Sequence, residues 1–222
     1  KGITMTMAFD CETAPLPEAY LRENNLLPEF EPPGNVKDPA KLAEREQAHI
    51  QKALSDAALS PITGSVCAVG WMIGADVKTY QSIMTTDGVT EPTLLREFWR
   101  HVRNFLNMDQ GNSLMGFNIK KFDLPFLIRR SWILGVTPYD LHDGKWWRDR
   151  TVLDLRDRWT FGDRYETGNL ATLAKLFGVG EKTGSGQFFH QLMKDDPSAA
   201  SAYLKNDVVL LPQLAARMGI AV

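Results

Sequence analysis

The chain has 222 residues, 44% of them hydrophobic and 10% aromatic, with 12 prolines, 17 glycines and two cysteines. That length suits a single domain with room for an insertion, and that apolar share fills a core, which excludes wholesale disorder, collagen-like repeats and a disulfide scaffold. Lys plus Arg is 25 against 27 Asp plus Glu, a net charge of −2, so a nucleic-acid binder working by bulk charge is excluded and any such contact must be local or metal-bridged.

No apolar run reaches the ~18–20 residues of a membrane helix, and no basic–apolar–small signal opens the chain. Lys1 in place of Met is what removal of a short N-terminal piece would leave. Cys11 and Cys67 form no Cys-x-x-Cys pair. The expectation is a cytoplasmic protein with no membrane contact.

Ile3 to Phe9 is β-branched and apolar and predicts a first strand. Residues 14–60 then leave the strand as an insertion. Its first part carries six prolines between Pro15 and Pro39 and predicts an irregular excursion. A helix follows, with Asp38 as N-cap, Pro39 at its first position, and Ile50, Ala53, Leu54, Ala57 and Ala58 on one face. Ser60-Pro61 stops it. Val66–Ile73 reads as a buried strand and Lys78–Met84 as its hairpin partner. Pro92–Leu106 predicts an amphipathic helix, Ser113–Phe117 a strand and Leu124–Leu134 a helix. Thr151–Leu155 is a weak strand, and Leu170–Phe177 a helix that Gly178 ends. The last helix begins at Asp196-Pro197 and keeps Ala200, Tyr203, Leu204, Asp207, Leu211 and Leu214 near one face. Strands followed by strands alternating with helices predict an α/β layer fold with a mixed sheet flanked by helices, one domain over 1–222.

Asp10-Cys11-Glu12 closes the first predicted strand. Residues two apart on a strand face one way, so both carboxylates share a side and repel unless a cation lies between them. Oxygen-rich sites of this kind suit Mg²⁺ or Mn²⁺. Asp123 stands where a strand and turn feed a helix, and a helix N-cap is its plain alternative role. Tyr203 and Asp207, four apart on the last helix, share an otherwise apolar face. A core-facing aspartate costs several kcal/mol unless it is paired or metal-bound.

Phe9-Asp-x-Glu-Thr13, Asn118-x-x-x-Phe-Asp123 and Tyr203-x-x-x-Asp207, in that order, resemble the three motifs of the DEDD exonuclease superfamily in its tyrosine-bearing branch. The chain is similar in this to the proofreading domain of family-B DNA polymerases and to free-standing phage and bacterial relatives. The resemblance spans residues 3–216 and departs from the family's pattern in the long stretch 14–60. It implies a ribonuclease-H-like fold and a 3′-to-5′ exonuclease using two Mg²⁺ or Mn²⁺ on single-stranded 3′ ends, DNA foremost. It further implies that Asp10 bridges both metals, Glu12 and Asp207 complete the first, Asp123 holds the second, and Tyr203 orients the attacking water. Thr13, Phe117, Asn118 and Phe122 are the candidates for gripping the terminal nucleotide, with core packing the alternative for the two phenylalanines. Other readings are an exoribonuclease, a non-catalytic nucleic-acid-binding or replication-partner module, and a subunit of a polymerase or repair complex.

Residues 119–164 carry a net charge of +3 against −3 for 14–60. The basic stretch is therefore the expected substrate track, with Lys120 and Lys121 nearest the chemistry, and 14–60 the expected gate against paired ends. Ala202, five before Asp207, stands where the histidine branch carries His. His49, His101, His142 and His190 fall in none of the motifs. Gly180–Gly186 looks like a phosphate loop, but it follows a helix and lacks the required Gly before Lys-Thr, so a connector near the groove is expected, with a phosphate contact from its backbone or Lys182 the alternative. Trp146-Trp147, between Lys145 and Arg148, fits base stacking and core packing equally.

Overall fold

The computed structural model describes residues 5–86, 88–141, 151–163, 165–184 and 186–221. Ile3, His142, Arg150, Arg164 and the Lys145–Arg148 stretch with its tryptophan pair lie outside them. The first strand, β1 (Thr6–Pro15), does not stop at Phe9 but continues through both acids and past Thr13. Asp and Glu are poor strand formers, yet β1 lies mid-sheet with a neighbour on each edge, and ladder pairing outweighs that weak preference.

The sheet order is β3-β2-β1-β4-β5. β2 (Gly64–Ile73) and β3 (Gln81–Met84) form the expected antiparallel pair, with Ala68 opposite Met84 and Trp71 opposite Gln81. β3 starts later than expected because Val77–Thr79 makes a 3₁₀ turn, capped by Asp76 accepting from the Lys78 N–H at 3.0 Å. β4 (Ser113–Gly116) runs parallel to β1, with Met7 opposite Leu114, and β5 (Val152–Asp154) runs parallel to β4. This is a mixed five-stranded sheet flanked by helices, a ribonuclease-H-like α/β fold.

Side-chain alternation along β1 divides the core in two. Met7, Phe9 and Cys11 pack with α3 (Glu91–Met108) and α4 (Asp123–Ile133) through Phe98, Trp99, Leu124 and Leu127. The Arg130 fork on Glu91, at 2.9 and 2.7 Å, and the Trp99 indole donating to Ser131 at 2.8 Å tie those two helices together. Ala8, on the opposite face, packs with α6 (Leu170–Leu176) and α8 (Pro197–Arg217) through Leu173, Val208 and Leu211. Two short helices, α5 (Leu155–Thr160) and α7 (Phe189–Asp195), complete this part.

The chain divides into two units, one comprising the described residues of Lys1–Glu12 and Val66–Val222, the other Thr13–Ser65. The second holds α1 (Glu18–Glu23), a short helix inside the expected irregular excursion, and α2 (Pro39–Ala57). α1 forms because Leu21 is fully buried and Glu18 pairs with Arg22 one turn on. α2 begins as expected, with Asp38 accepting from the Ala40 N–H at 3.0 Å and Pro39 behind it. The Leu16 N–H donating to Thr63 O at 2.9 Å closes the unit's base. Among the described residues, no helix is long and apolar enough to cross a membrane.

Candidate active site

The period of β1 that sends Ala8 toward α8 sends Asp10 and Glu12 the same way. α8 returns Asp207 to meet them, and one carboxylate oxygen from each of the three acids lies within 4.8 Å of the others. Glu12 is 7% exposed and Asp207 fully buried, while Asp10 is half-buried. An all-oxygen, carboxylate-rich donor set drawn from two separate elements fits a hard divalent cation, so these residues are close enough to bind a metal ion. Positive charge is also supplied from within the chain: Lys182 Nζ stands 2.6 Å from Asp207 Oδ2 and 5.1 Å from the centre of the Tyr203 ring.

Electrostatics follow from that crowding. Burial, then the charges of Asp123, Glu12 and Asp207, push Asp10 well above the usual carboxylate range. Burial carries Glu12 up to about 8, with Lys182 opposing and Asp207 and Asp123 adding to the rise. Asp207 is raised by burial against the pull of Lys182 and the Tyr203 hydroxyl. Burial works against the Lys182 charge, but Asp207 and Asp10 outweigh it and raise its pKa.

Asp123 is not the cap of α4. Phe122 holds the N-cap position without a capping bond, and Asp123 Oδ1 instead accepts the Cys11 N–H at 3.2 Å, fastening the start of α4 to the middle of β1. It lies outside the group of three acids, though its charge acts on Asp10 and Glu12. Burial lifts it to about 6, with the bonds from Cys11 holding it down.

A cleft of about 370 Å³ opens beside Asp10, with Phe117, Asn118, Arg156, Asn169 and Lys182 in its walls. Asn118 adopts a left-handed conformation at φ 67°, which Asn tolerates better than most side chains. Phe117 lines the cleft and also packs against the α6–α8 core. Phe122 is not among the cleft-lining residues; it packs on the other core with its ring 5.6 Å from Phe126. Tyr203 is 5% exposed and faces a second cavity, of about 670 Å³, with Phe188, Phe189 and Asn206. Lys120 lies 3.7 Å from Asp157, and Lys121 is exposed to solvent. Thr13 is buried on the continuation of β1, in the second unit.

Sequence reasoning gave three residues here no part in the acid cluster or the Asn118 turn. Asp154, the last residue of β5, is 2% exposed and accepts the backbone N–H groups of Asn118, Lys120 and Arg156 at 2.8, 2.9 and 2.9 Å. Its only sequence signal is an acid directly after an apolar strand. Arg156 passed as one charge of a basic stretch, and Lys182 as part of a failed phosphate-loop match. The glycines around Lys182 have a different use: a Cβ on Gly186 would lie 2.9 Å from Glu12 Oε2, and one on Gly184 would lie 3.1 Å from the Tyr203 ring. The connector passes close to Glu12 and Tyr203, and a larger residue at either glycine would have to displace one of them.

No family model and no curated relative matches the chain. Among solved structures it is similar to the family B DNA polymerase from the hyperthermophilic archaeon Pyrobaculum calidifontis, with a TM-score of 0.60 at 16% identity. The likeness covers 98% of this chain and 25% of that one, so the chain spans about a quarter of the polymerase's length. At that identity the likeness establishes the fold. Fold and site together define an α/β, ribonuclease-H-like protein with a buried acid cluster able to hold a metal ion.

Proposed function

We propose that the chain is a metal-dependent 3′-to-5′ exonuclease that hydrolyses phosphodiester bonds at single-stranded 3′ ends, DNA foremost, and releases nucleoside monophosphates. The observation that carries this reading is the meeting of Asp10, Glu12 and Asp207 oxygens within 4.8 Å, on a fold similar to that of a DNA polymerase. Asp10, Glu12 and Asp207 would hold one Mg²⁺ or Mn²⁺, and Asp123 with Asp10 a second. Such cations, when bound, neutralise the charge of the reacting phosphodiester and supply a nucleophile at neutral pH.

The remaining work falls to the chain's own side chains. Burial, then the charges of Glu12 and Asp207, raise the Tyr203 hydroxyl above its ordinary value. It therefore keeps its proton at neutral pH and serves to orient water rather than to deprotonate it. Phe117 and Asn118 line the cleft beside Asp10, which supports their receiving the terminal nucleotide on this reading.

The test incubates the protein with 5′-labelled single-stranded DNA, matching RNA and blunt duplex, each with Mg²⁺, Mn²⁺ or chelator. The expected outcome is a metal-dependent ladder shortening one nucleotide at a time from the 3′ end of single-stranded DNA. Tyr203→Phe should slow it by roughly 10²–10⁴-fold while Mn²⁺ binding persists. Mn²⁺ binding without shortening of any strand would overturn the reading, and faster shortening of RNA would redirect it to an exoribonuclease.

A further inference from the structure

On the exonuclease reading above, we propose that Arg156 is the substrate-anchoring residue of the cleft, gripping a phosphate of the bound strand while it fixes the amide of Asn118. Three observations carry this. Arg156 lines the same cleft as Asp10 and Asn118. Its Nη1 donates to Asn118 Oδ1 at 2.9 Å. Its backbone N–H and that of Asn118 share the Asp154 carboxylate, at 2.9 and 2.8 Å, so the start of α5 and the Asn118 turn are locked to one buried anchor.

The Arg156–Asn118 bond settles the orientation of an amide. Guanidinium has five N–H donors and no acceptor, so the Asn118 atom facing it must be the oxygen. The Asn118 amino group is then the end left to donate to an acceptor on a bound nucleotide.

The same bond uses one guanidinium donor of a half-buried side chain and leaves the others available to a further acceptor. Two other cations near this cleft face carboxylates: Lys182 meets Asp207 at 2.6 Å and Lys120 meets Asp157 at 3.7 Å. Among the described residues Arg156 pairs with no carboxylate. A fork-shaped cation in a cleft, its backbone anchored on Asp154 and its guanidinium held by Asn118, matches the planar two-oxygen edge of a phosphodiester. Rigidity fixed in advance reduces the entropy lost on binding.

The experiment is a double-mutant cycle between the protein and the strand. Single-stranded DNA carries one uncharged methylphosphonate at the second, third, fourth or fifth linkage from the 3′ end. Each substrate is assayed with wild type, Arg156→Gln and Arg156→Lys. With ordinary DNA, Arg156→Gln should lose about 10- to 100-fold in kcat/KM, chiefly through KM, as expected for one charge-assisted hydrogen-bonding group. Wild type should lose about as much at one particular linkage, where Arg156→Gln loses nothing further.

Arg156→Lys keeps the charge but not the fork, and should fall between the two with reduced sensitivity at that linkage. It carries the test if the glutamine variant fails to fold. Thermal shift by Mn²⁺ should be unchanged in both variants. An Arg156→Gln enzyme with wild-type KM, or a weaker one as sensitive as wild type at every linkage, overturns the proposal; so does an Arg156→Lys enzyme with wild-type KM and sensitivity. The same cycle read as binding, by fluorescence anisotropy, applies to a protein that cleaves nothing. Failure of the exonuclease reading is then a missing ladder, and failure of this proposal is a missing coupling.

Discussion

Neutralising one member of a buried set of like charges relieves repulsion, and by charge alone each acid of the cluster could be removed with a gain in metal-free stability. Asp207 is the exception, because its Oδ2 holds Lys182 Nζ at 2.6 Å and the lysine side chain is only 21% exposed. Asp207→Asn should therefore lower metal-free stability by about 1–3 kcal/mol, the usual consequence of leaving a partly buried charge without its partner. Asp10→Asn should leave stability level or raise it. The double variant Asp207→Asn/Lys182→Met should recover most of the loss. Urea unfolding in chelator measures all of these. Equal stability of the two single aspartate variants would mean that the ion pair adds nothing net. On the exonuclease reading both single variants abolish turnover, so only stability separates the roles of the two residues.

At the scale of elements, the decisive contacts are made by short or irregular pieces. The turn from β4 into α4 is organised by Asp154, at the end of a three-residue strand. The connector between α6 and α7 lies against Glu12 and Tyr203 at its glycines. Gly186→Ala would bring a Cβ to 2.9 Å from Glu12 Oε2, and the movable partner is the carboxylate itself. If Glu12 holds the metal as proposed, displacing its carboxylate should weaken Mn²⁺ binding by about 10- to 100-fold, the range for disturbing a ligand's support, with little change in unfolding temperature in chelator. Gly34→Ala, which meets nothing within 4 Å, is the control. Calorimetric titration with Mn²⁺ reads both, and an unchanged affinity in Gly186→Ala would show that the connector yields instead of the carboxylate. α5 and α7 escaped the sequence pattern because six or seven residues span less than two turns, too few for a period to declare itself, whereas α6, equally short, was marked by its Gly178 stop.

Over the whole molecule, the buried acids of β1 and α4 make stability respond to pH. Burial holds Glu12 at about 8 and Asp123 at about 6, both above their ordinary values of 4.5 and 3.8. The folded chain then binds protons that the unfolded chain has released, so the slope of stability against pH is negative between those limits. Without metal, the Glu12 contribution should be intact below pH 4.5 and disappear as pH rises through 8; that of Asp123 should disappear between 3.8 and 6. Metal ligands must be deprotonated, so stabilisation by Mg²⁺ or Mn²⁺ should grow over the same range. The difference in Tm with and without metal should therefore widen from pH 5.5 to 8.5, and Glu12→Gln should flatten the metal-free fall. A metal-free Tm that climbs through this window in wild type, and climbs equally in Glu12→Gln, would contradict the assignment.

The sequence by itself determined the elements whose cause is local. The apolar run of β2, the one-sided faces of α3 and α8, the Asp38-Pro39 start of α2 and the Gly178 stop of α6 follow from periods and caps that act over a few residues. The spacing Asp10-x-Glu12 placed two carboxylates on one side, since strand alternation is a property of the backbone alone. Only the tertiary structure decided how far β1 runs, because its extension depends on ladder partners from distant parts of the chain. Only the tertiary structure, too, turned Asp123 from a helix cap into an acceptor for Cys11, 112 residues away in the chain. It likewise set Lys182 against Asp207, made Asp154 the anchor of the Asn118 turn, and gave Arg156 a place in the cleft. Each of these is a pairing between a charge and a partner far along the chain. No local period encodes such a pairing, because it is fixed by the cost of leaving either group buried without the other once the fold has brought them together.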